Sequence, residues 1–483
     1  MHSLRSALRS PSLFFSCSLL VLAIAGCTDE AGDDDDDEPP ILAEGCAAPT
    51  GAGTEHQGAI RADETWSAAD SPHVVVFDVY VNSGTLTIEP CAVVRLRKGH
   101  GISISGAPGT PPPALVAHGE SIPNVGAEPT ERPVTFERDD ASMPWGSIIA
   151  YPTGSIDFEL VHLDGGGDPD TASNNGGTII AGGDVFNTGL LRNLRTVNVT
   201  IDRSGGFGVN LLDRAGFTAD STNLVITRAG MLPSGSNVDT RYPLRIVGPA
   251  VSTIPVGTYT GNAVDEIMVF NASSLLDPEL TIHERGVPYR VLGRFGMSPK
   301  DTAAAGGLST LTIEPGVTIK FEPDGGIDLG TSNGSLPEDI WPVRMIAAGT
   351  FDKPIVLTSV APNPAPGAWG GLEWHGGAPD GNVMSYVRIE WAGADSGTLG
   401  FGCGPGDNDA ALIFRNWRPD DAFITHSTFA SSASGGIVRG WRSDAAGPDL
   451  VADNTFDNIG NGCNVSRWAN GNGSCPSPNP ICF

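Results

Sequence analysis

Lysine is almost missing from this chain. Only Lys98, Lys300, Lys320 and Lys353 occur in 483 residues, so 24 of the 28 bases are Arg, against 56 acids. The formal net charge of −28 leaves nothing to displace counterions from a phosphate backbone, which excludes nucleic acid as a partner. It also excludes electrostatic docking on an anionic membrane surface. No stretch shows a sustained helical period with caps, which speaks against a helical fold. Beyond the N-terminal segment, no run approaches the length of a membrane span. No two cysteines have C-x2-C spacing, the nine His form no HExxH, and neither Ser103 nor Ser105 sits in a GxSxG elbow. Zinc chemistry and a hydrolase triad are therefore set aside. What the chain does have is 63 Gly and 38 Pro among 40% hydrophobic residues. That composition suits a turn-rich, all-β protein with a sizeable core.

The N-terminus gives an address. Arg5 and Arg9 precede an apolar stretch from Leu13 to Ala25, the shape of a secretory signal. It ends in Ile24-Ala25-Gly26-Cys27, which resembles a bacterial lipobox. The resemblance implies that residues 1–26 are a leader and that the Cys27 thiol carries lipid. The protein is then exported and lipid-anchored to the bacterial envelope, at the outer membrane or cell surface, with the membrane as a partner through that lipid. Residues 27–45 hold the anchor and the run TDEAGDDDDDEPP at 28–40. Its like charges repel and its prolines stiffen it, which predicts an extended, disordered tether.

Six cysteines remain after Cys17 and Cys27: Cys46, Cys91, Cys403, Cys463, Cys475 and Cys482. An even number in an exported chain implies disulfides. Proximity along the sequence favours Cys46–Cys91, Cys403–Cys463 and Cys475–Cys482.

The body of the chain is written twice. LTIEP occurs at 86–90 and again at 311–315, and LVAHG at 115–119 answers MIAAG at 345–349. RPVTF at 132–136 answers KPIVL at 353–357, and Trp145-Gly146 answers Trp369-Gly370. The offsets imply two repeats of about 220 residues. We divide the chain into a first repeat at 46–270, a second at 271–463 and a Cys-containing C-terminal cap at 464–483. Within each repeat, short runs alternate as in Val317, Ile319 and Phe321, and Gly, Asn, Asp or Pro punctuates them. The segments LTIEPGVTIKFEPDGGIDLG, MIAAGTFDKPIVLTS, WGGLEW and DNTFDNIGN closely resemble bacterial right-handed parallel β-helix proteins of the pectin-lyase-like fold. The resemblance spans roughly residues 56–463 and its motifs are structural. It implies an all-β solenoid of stacked coils whose ends are capped.

Three chemical readings follow. Gly99-His100-Gly101 is similar to the GHG stretch of polygalacturonases, but the acidic partners of that family do not stand in order here. In the internal alignment His100 falls opposite Gly325, as a coil turn, so no catalytic residue is assigned. Both repeats carry acids in a Gly-rich loop after the Trp-Gly coil: Asp164, Asp168 and Asp170, then Asp407 and Asp409. Clustered hard oxygens are what calcium requires, which makes it the candidate cofactor. Trp417, Trp441 and Trp468 lie near polar turn residues and are candidates for stacking on sugar rings. The expected role is a non-catalytic, envelope-anchored binding or adhesion module for polysaccharide or another extracellular polymer. The alternatives are a calcium-dependent polysaccharide lyase or other glycan-active enzyme, and a structural envelope protein. An enzyme should show three or more clustered carboxylates beside an Arg or Lys; a binder should show aromatics and amides without that cluster.

Overall fold

The computed structural model describes residues 45–124, 128–169, 176–184, 189–231, 239–270, 279–297, 308–332, 340–377, 380–396, 403–404, 409–477 and 482–483. All of these belong to one compact unit. Cys27 and the tether lie outside the described residues.

The alternation read in the sequence becomes strand. In Thr85–Ile88, Leu86 and Ile88 are buried while the threonines point out. In Ser309–Ile313, Leu311 and Ile313 do the same. Among the described residues, helix is limited to two short 3-10 segments, Ala68–Asp70 and Gly248–Thr253. Some strands run through a corner rather than ending at it. Ser155–Asp164 pairs with Ala114–His118 over its first half and with Val134–Arg138 over its second. The bend is made at Leu160, whose φ is 51°. Asn198 (φ 52°) does the same in Leu191–Asp202, and its side chain accepts a 2.9 Å hydrogen bond from Asn223. Asn adopts left-handed backbone at low cost because its short amide bonds locally.

Nearly all pairing is parallel, and each strand pairs with strands further along the chain, so the backbone coils upon itself. One buried row shows the stacking: Val79 aligns with Ile102, Ile148, Ile179, Val209, Leu244 and Ile267 in turn. It continues through Tyr289, Ile319, Leu357, Ile389 and Phe429 to the partly buried Phe456. An all-β protein with large parallel sheets and almost no helix is consistent with a parallel β-helix, and stacked apolar rows of this kind bury one continuous core. The two LTI strands do not share a sheet, however. Ile102–Ile104, second strand after the first LTI, leads through Tyr289–Val291 to Thr318–Phe321, first strand after the second. At this junction Gly248–Thr253 interposes; Thr253 Oγ1 accepts from the Phe217 amide at 3.2 Å.

The cysteines correct the pairing expected from proximity. Cys46 bonds Cys91, but Cys403 bonds Cys475 and Cys463 bonds Cys482. The tail folds back over the last coil, with Ser466 opposite Cys482 in an antiparallel bridge. Chain distance therefore misjudges which thiols meet.

Candidate functional site

Five charged or titratable side chains from four successive strands meet on the outer face of one sheet. The strands are Arg294–Met297, Gly326–Leu329, Leu372–Trp374 and Ala410–Arg415. Phe295, Ile327, Leu372 and Leu412 align on the buried side, so the residues one step along must face outward. Asp328 and Glu373 are aligned neighbours in that outward row.

Arg294 holds both acids. Its Nε and Nη2 donate to Asp328 at 2.6 and 2.5 Å, and Nη2 also donates to Glu373 Oε1 at 3.2 Å. Room for this reach comes from Gly326 and Gly370, where an added Cβ would stand 2.9 and 3.0 Å from Arg294 Nη1. On the far side, Arg415 Nη1 donates to Glu373 Oε2 at 2.8 Å and to His375 Nε2 at 3.2 Å. A guanidinium can only donate, so Nε2 is the bare nitrogen of a neutral imidazole.

Glu373 is the buried member, its side chain 7% exposed, while the other four remain 22–30% exposed. Burial pushes the Glu373 carboxyl up, and the two arginines oppose that rise. Burial, then the adjacent Arg415 charge, lowers His375 to about 4. The site thus sets a carboxyl raised by burial beside a neutral base, the perturbation expected where chemistry or recognition takes place. Ligand-capable atoms of Asp328, Glu373 and His375 all lie within 4.8 Å of one another. Two guanidiniums nevertheless occupy the carboxylate oxygens, so a divalent cation would meet two like charges. The donor set does not fit a resident metal.

The residues anticipated from sequence are distributed differently. Asp164 is held between Arg138 and Arg203, with Nε to carboxylate distances of 3.4 and 2.7 Å, so its oxygens serve ion pairs. Asp168 is buried, and Asp409 accepts from the Ser396 amide at 2.8 Å. Asp170 and Asp407 lie outside the described residues. Trp441 is 2% exposed, which corrects its assignment as a sugar platform: it offers no face. Trp417 packs its ring 5.2 Å from Trp374 and 5.5 Å from Phe414. Trp468 stacks 6.0 Å from Trp441, and its Nε1 donates to the Ser443 carbonyl. Three carboxylates do gather at one cation elsewhere: Arg195 donates to Asp157, Glu159 and Asp220 at 2.6–2.9 Å. There the acids are ligands of the arginine, and its hydrogen bond lowers the Asp220 carboxyl.

The outward charges of the five-residue site were missed because their alignment depends on the lengths of the intervening loops. One signal was present, the glycine pairs of Asp324-Gly325-Gly326 and Trp369-Gly370-Gly371, which leave a trough for a long side chain. No family model matches the chain, and neither does any curated protein or solved structure. Among the described residues no helix is long and apolar enough to cross a membrane.

Proposed function

We propose that this protein is an exported lipoprotein, anchored through Cys27 to the bacterial envelope at the outer membrane or cell surface. Its right-handed parallel β-helix, built from two tandem repeats, serves as a non-catalytic binding or adhesion module for polysaccharide or another extracellular polymer. The observation that carries this reading is the strip Arg294–Asp328–Glu373–His375–Arg415. It presents fixed hydrogen-bonding groups on a rigid sheet, and its acids are already neutralised by guanidiniums. Groups held in place by their neighbours bind without an ordering cost. The lipobox, the acidic tether and the three disulfides fit an exported address.

The test is a polysaccharide array probed with the detergent-solubilised full-length chain, scored for retention and for new reducing or unsaturated ends. Retention without product is expected. Silence on every glycan would leave a structural envelope role in its place.

One observation favours a second reading, a glycan-active enzyme. Glu373 Oε2 lies 3.6 Å from His375 Nε2, and a raised carboxyl beside a neutral imidazole can work as acid and base. Product that disappears in Glu373→Gln would establish it. Calcium gains no support from Asp164, whose oxygens face arginines.

A further inference from the structure

The outer face at the start of the coil stack carries exposed aromatics. Phe77 is 58% exposed, Tyr80 44% and Tyr151 39%. Tyr80 and Ile149 share one outward row with Ser103, and Tyr151 follows two residues after Ile149 on the same side. Two of the rings are also held. Asp78 Oδ1 faces His100 Nδ1 at 3.3 Å and accepts from the Gly101 amide at 3.1 Å, while Oδ2 accepts from the Tyr80 hydroxyl at 3.3 Å. His100 meets Phe77 edge to face, centroids 5.2 Å apart. The GHG turn therefore has a structural task, to fix an aromatic surface through Asp78.

In sequence, residues of this shelf fall opposite residues of the charged strip, although the strands that carry them lie in different sheets. In the alignment of Trp145-Gly146 with Trp369-Gly370, Ile149 answers Glu373 and Tyr151 answers His375; with His100 opposite Gly325, Ser103 answers Asp328.

We propose that the shelf of Phe77, Tyr80 and Tyr151, the first two oriented by His100 and Asp78, is a binding site for an uncharged pyranose chain. This rests on the polysaccharide reading above and names the ligand class. Apolar ring faces pack on the C–H faces of sugars, and the phenol and carboxylate at their edges bond hydroxyls. An uncharged chain is specified because the shelf residues Phe77, Asp78, Tyr80, His100 and Tyr151 include no Arg or Lys, so an acidic sugar would meet the Asp78 carboxylate without a compensating cation. A uronate would also meet the repulsion of a chain with net charge −28. From the first to the third coil the shelf runs about 10 Å, the reach of a short oligosaccharide.

The test titrates the detergent-solubilised full-length protein with cellohexaose, mannohexaose, xylohexaose and a galacturonate hexamer. Wild type, Phe77→Ala, Tyr80→Ala with Tyr151→Ala, Glu373→Gln and, as a control, Phe351→Ala, an exposed ring outside both surfaces, are compared by calorimetry, with melting curves confirming folding. At least one uncharged hexamer should bind, with affinity falling tenfold or more in the shelf variants and holding in Phe351→Ala. Unchanged affinity in the shelf variants overturns the shelf, as does preference for galacturonate. Loss only in Glu373→Gln overturns the shelf while the polysaccharide reading stands. Absence of binding to all four, together with a silent polysaccharide array, overturns both.

Discussion

Arg294 donates to Glu373 across 79 residues of chain, and it does so by lying over two glycines. A methyl at Gly326 would stand 2.7 Å from the Gly371 carbonyl as well as 2.9 Å from Arg294 Nη1. Gly326→Ala should therefore push Arg294 off Glu373 and strain the coil. We expect a loss of about 1–3 kcal/mol, as for other overpacked sites, read as a lower urea midpoint. Arg294→Lys tests the same relationship without steric change. A single ammonium cannot reproduce the fork that spans Asp328 and Glu373, so the Glu373 carboxyl should titrate still higher.

Acid should weaken the fold through two histidines. His56 is lowered to about 4 by burial and then by His73, and His375 to about 4 by burial and then by Arg415. In the unfolded chain both take up a proton near pH 6.5. Between those values the unfolded state binds more protons than the folded one. The stabilisation is thus complete above about pH 6.5 and lost as pH falls through about 4. Each contributes at most about 3 kcal/mol, and His56, only half buried, contributes less. Glu373 opposes the trend, because its raised carboxyl takes its proton sooner in the folded state. Denaturant midpoints from pH 7 to pH 4 should fall, and His56→Gln with His375→Gln should flatten the slope.

The sequence shows the rows and hides the columns. Leu86, Ile88, Ile319 and Phe321 read as inward residues because alternation is local, and they are buried. Which outward residues become neighbours is a different matter. Asp328 aligns with Glu373 and Glu373 with Ile413, although the chain between partners differs in length at each step. Loop length does not say how many residues a coil consumes, so the Arg294–Glu373 contact could not be read. Nor does local reading show that Leu160 turns a corner in left-handed backbone. The Trp-Gly motif was legible as repeat, while its glycines were legible as space only once Arg294 lay in it.

The disulfide correction can be checked directly. Peptide mapping of the unreduced protein should recover Cys403 linked to Cys475 and Cys463 linked to Cys482. A Cys403–Cys463 peptide would refute that arrangement. Cross-links of 72 and 19 residues restrict the unfolded chain by about 4 and about 3 kcal/mol in the loop-entropy model. Replacing Cys403 and Cys475 by serine should accordingly lower the melting temperature more than replacing Cys463 and Cys482.

Trp441 separates packing from recognition. Its ring lies 5.8 Å from Phe414 and 6.0 Å from Trp468, and it is nearly inaccessible. Trp441→Ala should cost about 3–5 kcal/mol through the cavity it leaves. Its Nε1, however, is buried without a hydrogen-bond partner, so the indole N–H is a liability that phenylalanine lacks. Trp441→Phe should therefore cost far less than Trp441→Ala, by more than the difference in ring size alone would give. Glycan retention should be unchanged in Trp441→Phe, because a ring with no open face cannot stack on a sugar. Retention lost in a Trp441→Phe protein that melts normally would show that the C-terminal tryptophans, and not the outward faces of the sheets, make the contact.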